Sequence, residues 1–308
     1  MSTPGSGRSS RLVSTAEGTH AGAFGTVEWG LLAATAGMFG SSFLFMSEGL
    51  QALEPGLITF LRLLLGTATL ALFPSARHVA VDRHDLPRIA LLGMVWMAIP
   101  FVIFPVAQQW VDSSVAGMIT GATPLFSAVV ASLLLRRLPG PVQRWGLLIG
   151  FVGVVAVTWP SLRGADSGTL GVLLIVVAVA LYGLATNLAV PLQQRYGSIP
   201  VLLRAQIVAL IVVTPLGLAS IPGSHAGGLS LAAMVPLGVL GTGLALVAVT
   251  TLVGRVGASR GSVSIYFVPP VALFLGVVVL GEHLEPVSVA GAALVVAGAW
   301  LTSRAEPR

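Results

Sequence analysis

Cysteine is absent from the 308 residues, and so is lysine. The first absence excludes a disulfide framework, a thiolate metal site and a cysteine nucleophile. The second, in a chain rich in Ala, Gly and Val, reads as the coding bias of a GC-rich bacterial genome, and it leaves arginine as the only strong base. Charge of either sign is scarce. Asp, Glu, Lys and Arg together make up 9% of the chain, against about 25% in a soluble domain. A globule so poor in charge would present an apolar face to water. Paired carboxylates, a histidine cluster and a phosphate-binding loop are missing as well. His20, His78, His84, His225 and His283 are scattered, and Glu282, His283 and Glu285 share one short segment with no second cluster. This excludes an ATP-driven pump within this chain and predicts no metal and no cofactor.

Apolar residues take the place of charge, at 55% of the chain and a mean hydropathy of +0.94. A bilayer span needs roughly 20 such residues. Apolar runs of that kind fall near 29–49, 56–73, 87–109, 114–135, 145–160, 169–191, 201–221, 231–252, 260–280 and 287–302. The sequence therefore predicts an all-α integral membrane protein with ten transmembrane helices. Residues 1–27, rich in Ser, Gly and Thr, read as a flexible cytoplasmic tail without a cleavable signal, and 304–308 as a second short tail.

The arginines test this count. With a cytoplasmic N-terminus, thirteen of the sixteen fall in cytoplasmic segments, Arg163 alone falls outside, and Arg62 and Arg204 lie within spans. That asymmetry is the positive-inside pattern of a bacterial cytoplasmic membrane protein with both termini inside. It accounts for the net charge of +5 by orientation in lipid, without a nucleic-acid partner.

The two halves match at an offset of 145. Gly93 pairs with Gly238, Pro124 with Pro269, Pro141 with Pro286, Gly146 with Gly291 and Gly153 with Gly298. Residues 28–160 and 161–303 are thus expected to be two five-helix repeats. Because five is odd, the second copy must run inverted in the membrane, an arrangement used by secondary transporters. Arg136-Arg137 in the first copy corresponds to Gly281-Glu282 in the second.

Several motifs stand in a specific order: Trp29-Gly30 through Ser41-Ser42-Phe43-Leu44-Phe45, Phe60-Leu61-Arg62, Pro269-Pro270, Leu280-Gly281-Glu282-His283-Leu284 and Gly291-Ala292-Ala293-Leu294. Over 29–303 the chain resembles an EamA-type member of the drug/metabolite transporter superfamily. The resemblance implies ten helices, cytoplasmic termini and export of amino acids, metabolites or drugs. Arg137 stands where that family has the Glu of its first Leu-Gly-Glu run, so the motif is given no catalytic role.

Arg62 is the foremost candidate for contact with the solute. A guanidinium about seven residues into the second span costs about 2.5–3.5 kcal/mol to insert. It shares a face with Thr59, Gly66 and Thr69, a stripe that would line a water-filled cavity and could receive a carboxylate or phosphate. The competing reading is a structural Arg paired within the bundle, with Glu48 or with a helix C-terminus. Glu48, at the outer end of the first span, is also the candidate for proton coupling, although a solvated loop carboxylate is the plainer reading. Tyr182, Thr186 and Gln193 form a stripe on the sixth span with Asn187 beside it. Tyr266 precedes the Pro269-Pro270 pair, and Trp96 lies far from either interface. Tyr182, Asn187, Tyr266, Trp96 and Arg62 are expected to border one midplane cavity, although packing or an interhelical hydrogen bond is the commoner role of such residues.

The reading that follows is a secondary transporter exporting a small metabolite, amino acid or drug-like solute by alternating access. The alternative is a membrane enzyme acting on a lipid-linked substrate. Gly146, Gly150 and Gly153 allow close helix approach within one chain or between two, so a monomer and a homodimer are equally compatible with the sequence.

Overall fold

The structure, a computed structural model, describes residues 25–136, 139–162, 166–256 and 261–303. The expected tails, except for residues 25–27, lie outside that set, as do Arg137, Arg163 and Arg260. The described residues are helical and contain no strand. Seven helices are long and apolar enough to cross a membrane: α1 (Thr26–Leu50), α3 (Arg83–Ala107), α4 (Ser113–Leu135), α5 (Pro141–Pro160), α6 (Gly168–Tyr196), α7 (Ser198–Ala219) and α8 (Gly228–Val256). Three shorter apolar helices complete the bundle: α2 (Pro55–Ala71), α9 (Ser264–Val278) and α10 (Pro286–Thr302). Proline opens α2, α5 and α10, where its missing N–H costs no hydrogen bond.

The outer surface is apolar. Leu133, Ile211 and Phe274 are 71%, 66% and 60% exposed, a surface suited to hydrocarbon rather than water. Trp29, Trp110, Trp145, Trp159 and Trp300 are also exposed. They stand at or near helix ends, as interfacial anchors do. Trp96 differs from all of them and is buried.

Four local irregularities carry the 145-residue offset into the backbone. α3 widens to a π-helix over Met94–Ala98 and α8 over Val239–Leu244, and these stretches start 145 residues apart. Proline explains the first. Pro100 has no N–H to give to the carbonyl four residues back, and its ring crowds that carbonyl, so the turn opens. α4 breaks between Thr120 and Thr123, with Pro124 opening its second segment. A 3-10 stretch, Ser262–Phe267, leads into α9 ahead of Pro269. The two breaks face each other, since a Cβ on Gly121 would lie 2.6 Å from Pro269 Cγ. Arg136 and Gly281, again 145 apart, both have positive φ, 52° and 68°.

Helix partners repeat the relation. α2 packs on α7, α4 on α9 and α5 on α10, while α1 packs on α8 as α6 packs on α3. The α5–α10 seam is the closest. A Cβ on Gly146 would lie 2.6 Å from the Gly298 carbonyl, and one on Gly153 would lie 2.7 Å from the Gly291 carbonyl. These contacts are reciprocal: Gly146 and Gly153 are the offset partners of Gly291 and Gly298. The small residues thus serve packing inside the chain. Only glycine lets two backbones approach so closely. Gly298→Val places its Cβ 2.3 Å from Gly150 N. It should cost about 1–3 kcal/mol or more through overpacking, read as a lower melting temperature in detergent. An unchanged melting temperature would show that the seam is loose.

Candidate functional site

Seven helices converge on a small internal cavity. α1 contributes Phe39, Ser42, Phe43 and Met46, and α2 contributes Arg62. Trp96 and Phe104 come from α3, Thr120 and Thr123 from α4, and Tyr182 and Thr186 from α6; Val249 of α8 and Ile265 of α9 close it. The volume is about 40 Å³, room for about three waters at roughly one probe sphere each. An amino acid does not fit unless the helices part.

Arg62 is 3% exposed. Its Nε donates to Thr242 Oγ1 at 3.1 Å, and its guanidinium carbon lies 3.7 Å from the centroid of the Phe101 ring. Both partners depend on irregular helix. Thr242 belongs to the π-helical stretch of α8, where its hydroxyl accepts from Arg62 and donates to the Leu237 carbonyl at 3.0 Å. Gln206 Nε2 holds the Thr242 carbonyl at 3.1 Å. A desolvated cation over an aromatic face is worth about 2 kcal/mol, which offsets part of the burial cost. No acidic residue joins the cavity lining, and among the described residues no carboxylate forms an ion pair with Arg62. The terminal guanidinium nitrogens, the Tyr182 hydroxyl and the Trp96 indole N–H make no hydrogen bond among the described residues. Tyr182 stacks on Phe104, with centroids 5.7 Å apart.

Arg62, Trp96 and Tyr182 therefore line one cavity, and two other expected members do not. Asn187 is buried and acts as a clamp, donating from Nδ2 to the Ser127 carbonyl and the Gly183 carbonyl, each at 2.9 Å. It lies one residue past Thr186 and so projects toward α4 instead of the cavity. Tyr266 donates its hydroxyl to the Ala299 carbonyl. It borders a separate apolar groove of about 680 Å³, between Trp29, Pro269, Pro270 and Trp300. The stripe beside Arg62 also turns out to be a packing seam. Thr59 donates to the Pro55 and Phe101 carbonyls, each at 2.8 Å; Gly66 packs on Thr242 and Thr69 on Gly243. Only Arg62 of that face reaches the cavity. Glu48 is half-buried and accepts from Gln51 Nε2 at 3.1 Å, so the Glu48–Arg62 pair that the sequence allowed is not formed. Gln193 donates to Ser198 at the end of α6.

Tethers that sequence reasoning missed join the halves at both ends of the bundle. At one end Asp85 of α3, 4% exposed, accepts from Arg195 Nη1 and from the Tyr196 hydroxyl of α6, each at 2.7 Å, and from Arg88 at 3.3 Å. Arg255 of α8 donates from Nε to Glu28 of α1 at 2.8 Å. Arg204 of α7, which the sequence places within a span, donates to the Val79 carbonyl at 2.8 Å and to the Ala76 carbonyl at 3.3 Å.

At the other end the positive φ of Gly281 turns the chain so that Glu282 reaches the start of α4. Its Oε1 accepts from Ser113 N at 2.9 Å and Ser113 Oγ at 2.7 Å, and its Oε2 from Ser114 N at 3.0 Å. A carboxylate here satisfies orphan N–H groups and opposes the helix dipole. Desolvation and the Glu282 charge push the adjacent Asp112 carboxyl above its usual range. Glu282→Ala relieves Asp112 but forfeits three hydrogen bonds to a charged group. Such bonds are worth about 1.5–3 kcal/mol each, so the loss wins and the melting temperature should fall. A rise would mean that the acid repulsion dominates.

Comparison with known proteins follows the same lines. The profile of the family described as "EamA-like transporter family" matches residues 28–159 and again 169–304. A Streptantibioticus cattleyicolor protein named "Probable terminal-alkyne amino-acid exporter" is 31% identical over 78% of this chain and 82% of its own. Bacillus subtilis YdfC, named an uncharacterized transporter, is 27% identical over 86% of this chain and 87% of its own. An uncharacterized transporter of Archaeoglobus fulgidus is 26% identical over 90% and 99%. A solved crystal structure superposes with a TM-score of 0.66 at 19% identity, covering 90% of this chain and 95% of that one. At that identity the likeness shows the fold alone.

Proposed function

This chain belongs to the EamA-like transporter family, and on that premise we propose that it exports a small metabolite, amino acid or drug-like solute by alternating access. The observation that carries the proposal is a buried cation, Arg62, opening on a cavity between the two halves with no acid among the described residues to neutralise it. Arg62, Trp96 and Tyr182 are the solute contacts in this reading. Asn187 and Tyr266 instead hold neighbouring helices. The amino-acid exporter among the relatives favours an amino acid within that range of solutes.

The carrier is a pair of inverted five-helix repeats, 28–160 and 161–303, with ten spans and both termini in the cytoplasm of a bacterium. The reciprocal α5–α10 contacts, the paired π-helical stretches, the facing breaks in α4 and α9 and the twofold family match support that duplication. The three shorter helices span by local thinning of the bilayer. In this orientation Asp85–Arg195 and Glu28–Arg255 close the cytoplasmic end and Glu282–Ser113 the external end. Exchange between the two open states requires each set to release in turn. Similar halves give those states comparable energies, so modest solute binding shifts the balance.

Reporter fusions test the orientation. Arg77, Arg195 and Arg255 should read cytoplasmic, and His225 and Glu282 external; an external signal at two of the inner sites overturns the ten-span arrangement. Arg62→Ala should abolish export from loaded vesicles while the protein still accumulates in the membrane. Full export by that variant, or its failure to accumulate, removes Arg62 from the solute site.

A further inference from the structure

We infer that the group recognised in the cavity is a carboxylate on a small, otherwise apolar solute, received by Arg62 together with Tyr182 and Trp96. The inference rests on the reading of the cavity as the solute site. Three residues that line this one space carry donors with no partner among the described residues: Arg62 at its terminal nitrogens, Tyr182 at its hydroxyl and Trp96 at its indole N–H. Arg62 and Trp96 are 3% and 4% exposed, so they meet whatever occupies the cavity and not bulk water. Buried donors left unmade are costly, and an acceptor-rich anion satisfies all three at once. The guanidinium fork fits a carboxylate in particular, because two parallel N–H groups meet two oxygens.

The rest of the wall narrows the solute further. Among the described residues no Asp or Glu lines the cavity, so none of them neutralises an organic cation there, and a positive solute would meet Arg62 as a like charge. The hydroxyls of Thr120 and Thr123 donate to the Ala116 and Thr120 carbonyls, at 2.9 and 2.7 Å. Their hydrogens are thereby used, and only oxygen lone pairs remain for the solute. An ammonium group can be accepted there but is not what the site demands. Phe43, Met46, Phe104 and Val249 supply apolar contact for the remainder. Charge couples recognition to closure. A carboxylate bound there pairs with the buried guanidinium, which lowers the cost of enclosing both as the helices move back around the solute.

The test separates binding from transport. Purified full-length protein is titrated with L-norvaline, L-leucine and L-phenylalanine, with the corresponding amino alcohols, and with 4-methylpentanoate, which is leucine without its amine. Binding is read by melting temperature and by tryptophan fluorescence. At least one amino acid should bind, its alcohol about 30-fold or more weaker, as expected for a buried charge pair losing one partner. 4-Methylpentanoate should bind within about tenfold of leucine. Tyr182→Phe keeps the ring on Phe104 and should weaken carboxylate binding about tenfold at an unchanged melting temperature without ligand. Arg62→Lys keeps the charge, loses the fork and should weaken it at least as much. Equal binding of alcohols and acids, preference for amines lacking a carboxylate, or no binding by any carboxylate overturns the inference. The first two outcomes leave the transporter reading standing. Carboxylate binding without vesicle export does the reverse.

Discussion

A guanidinium inside a membrane protein must be kept from hydrocarbon, and much of the bundle is arranged around that requirement. Arg62 cannot snorkel from the depth at which it sits, and among the described residues no carboxylate pairs with it. Its stabilisation comes from one hydroxyl and one aromatic face, on two different helices that both depart from regular geometry. α3 brings Phe101 under the cation just after its π-helical stretch, and α8 brings Thr242 to it from within its own. A wider turn frees a backbone carbonyl, and Thr242 answers it by donating to Leu237 while it accepts from Arg62. Regular α-helix at either place would turn these side chains away. The cost of the buried charge is therefore shared between backbone irregularity and side-chain chemistry, and π-helical turns often mark functional sites for this reason.

The same constraint explains why the site is small and why its ends are fastened. With the helices closed, the remaining donors of Arg62 meet a space of about 40 Å³. In the proposed transport cycle, opening toward either side brings water to the cation and requires the polar tethers at that end to part. Those tethers include the buried Asp85 with its donors, the Glu28–Arg255 pair and Arg204 on two carbonyls at one end, and at the other Glu282 on a helix terminus and Ser230 on the Glu48 carbonyl. By contrast the α5–α10 seam, glycine against glycine, is a poor place for movement. The helices that border the cavity carry the breaks and π-turns, and the helices that do not border it pack backbone to backbone.

Much of this was legible in the sequence, for identifiable reasons. Spans are visible because hydrocarbon leaves only apolar helices, and arginine asymmetry fixes their expected sense. Arg62 was visible because a charge in a span is expensive. Trp96 stood out because it lies far from the interfaces where the other tryptophans sit. Asn187 and Tyr266 were misplaced for one reason: residue type and span depth say nothing of rotation about the helix axis. Asn187 is next to Thr186, which does face the cavity, yet about 100° away on an α-helix. The Thr59–Gly66–Thr69 stripe failed likewise, since small and hydroxyl residues line helix seams as readily as water-filled space. Thr242 was invisible because no sequence signal distinguishes a π-turn in α8. The Asp85 and Glu282 tethers are contacts over more than a hundred residues, which periodicity cannot supply. The Gly281-Glu282 motif and two acids, Asp82 and Asp85, among arginines expected in the cytoplasm were the available hints.

The absence of cysteine makes the most direct measurement straightforward, because any introduced cysteine is the only thiol. Thr120→Cys places one in the cavity wall, and a membrane-impermeant maleimide can then be applied from either face of oriented vesicles. Alternating access predicts labelling from both faces, at rates that bound solute lowers and that move in opposite directions when one end is held closed by a crosslink across its tether. Labelling from one face only, or rates at the two faces that change together, would contradict it.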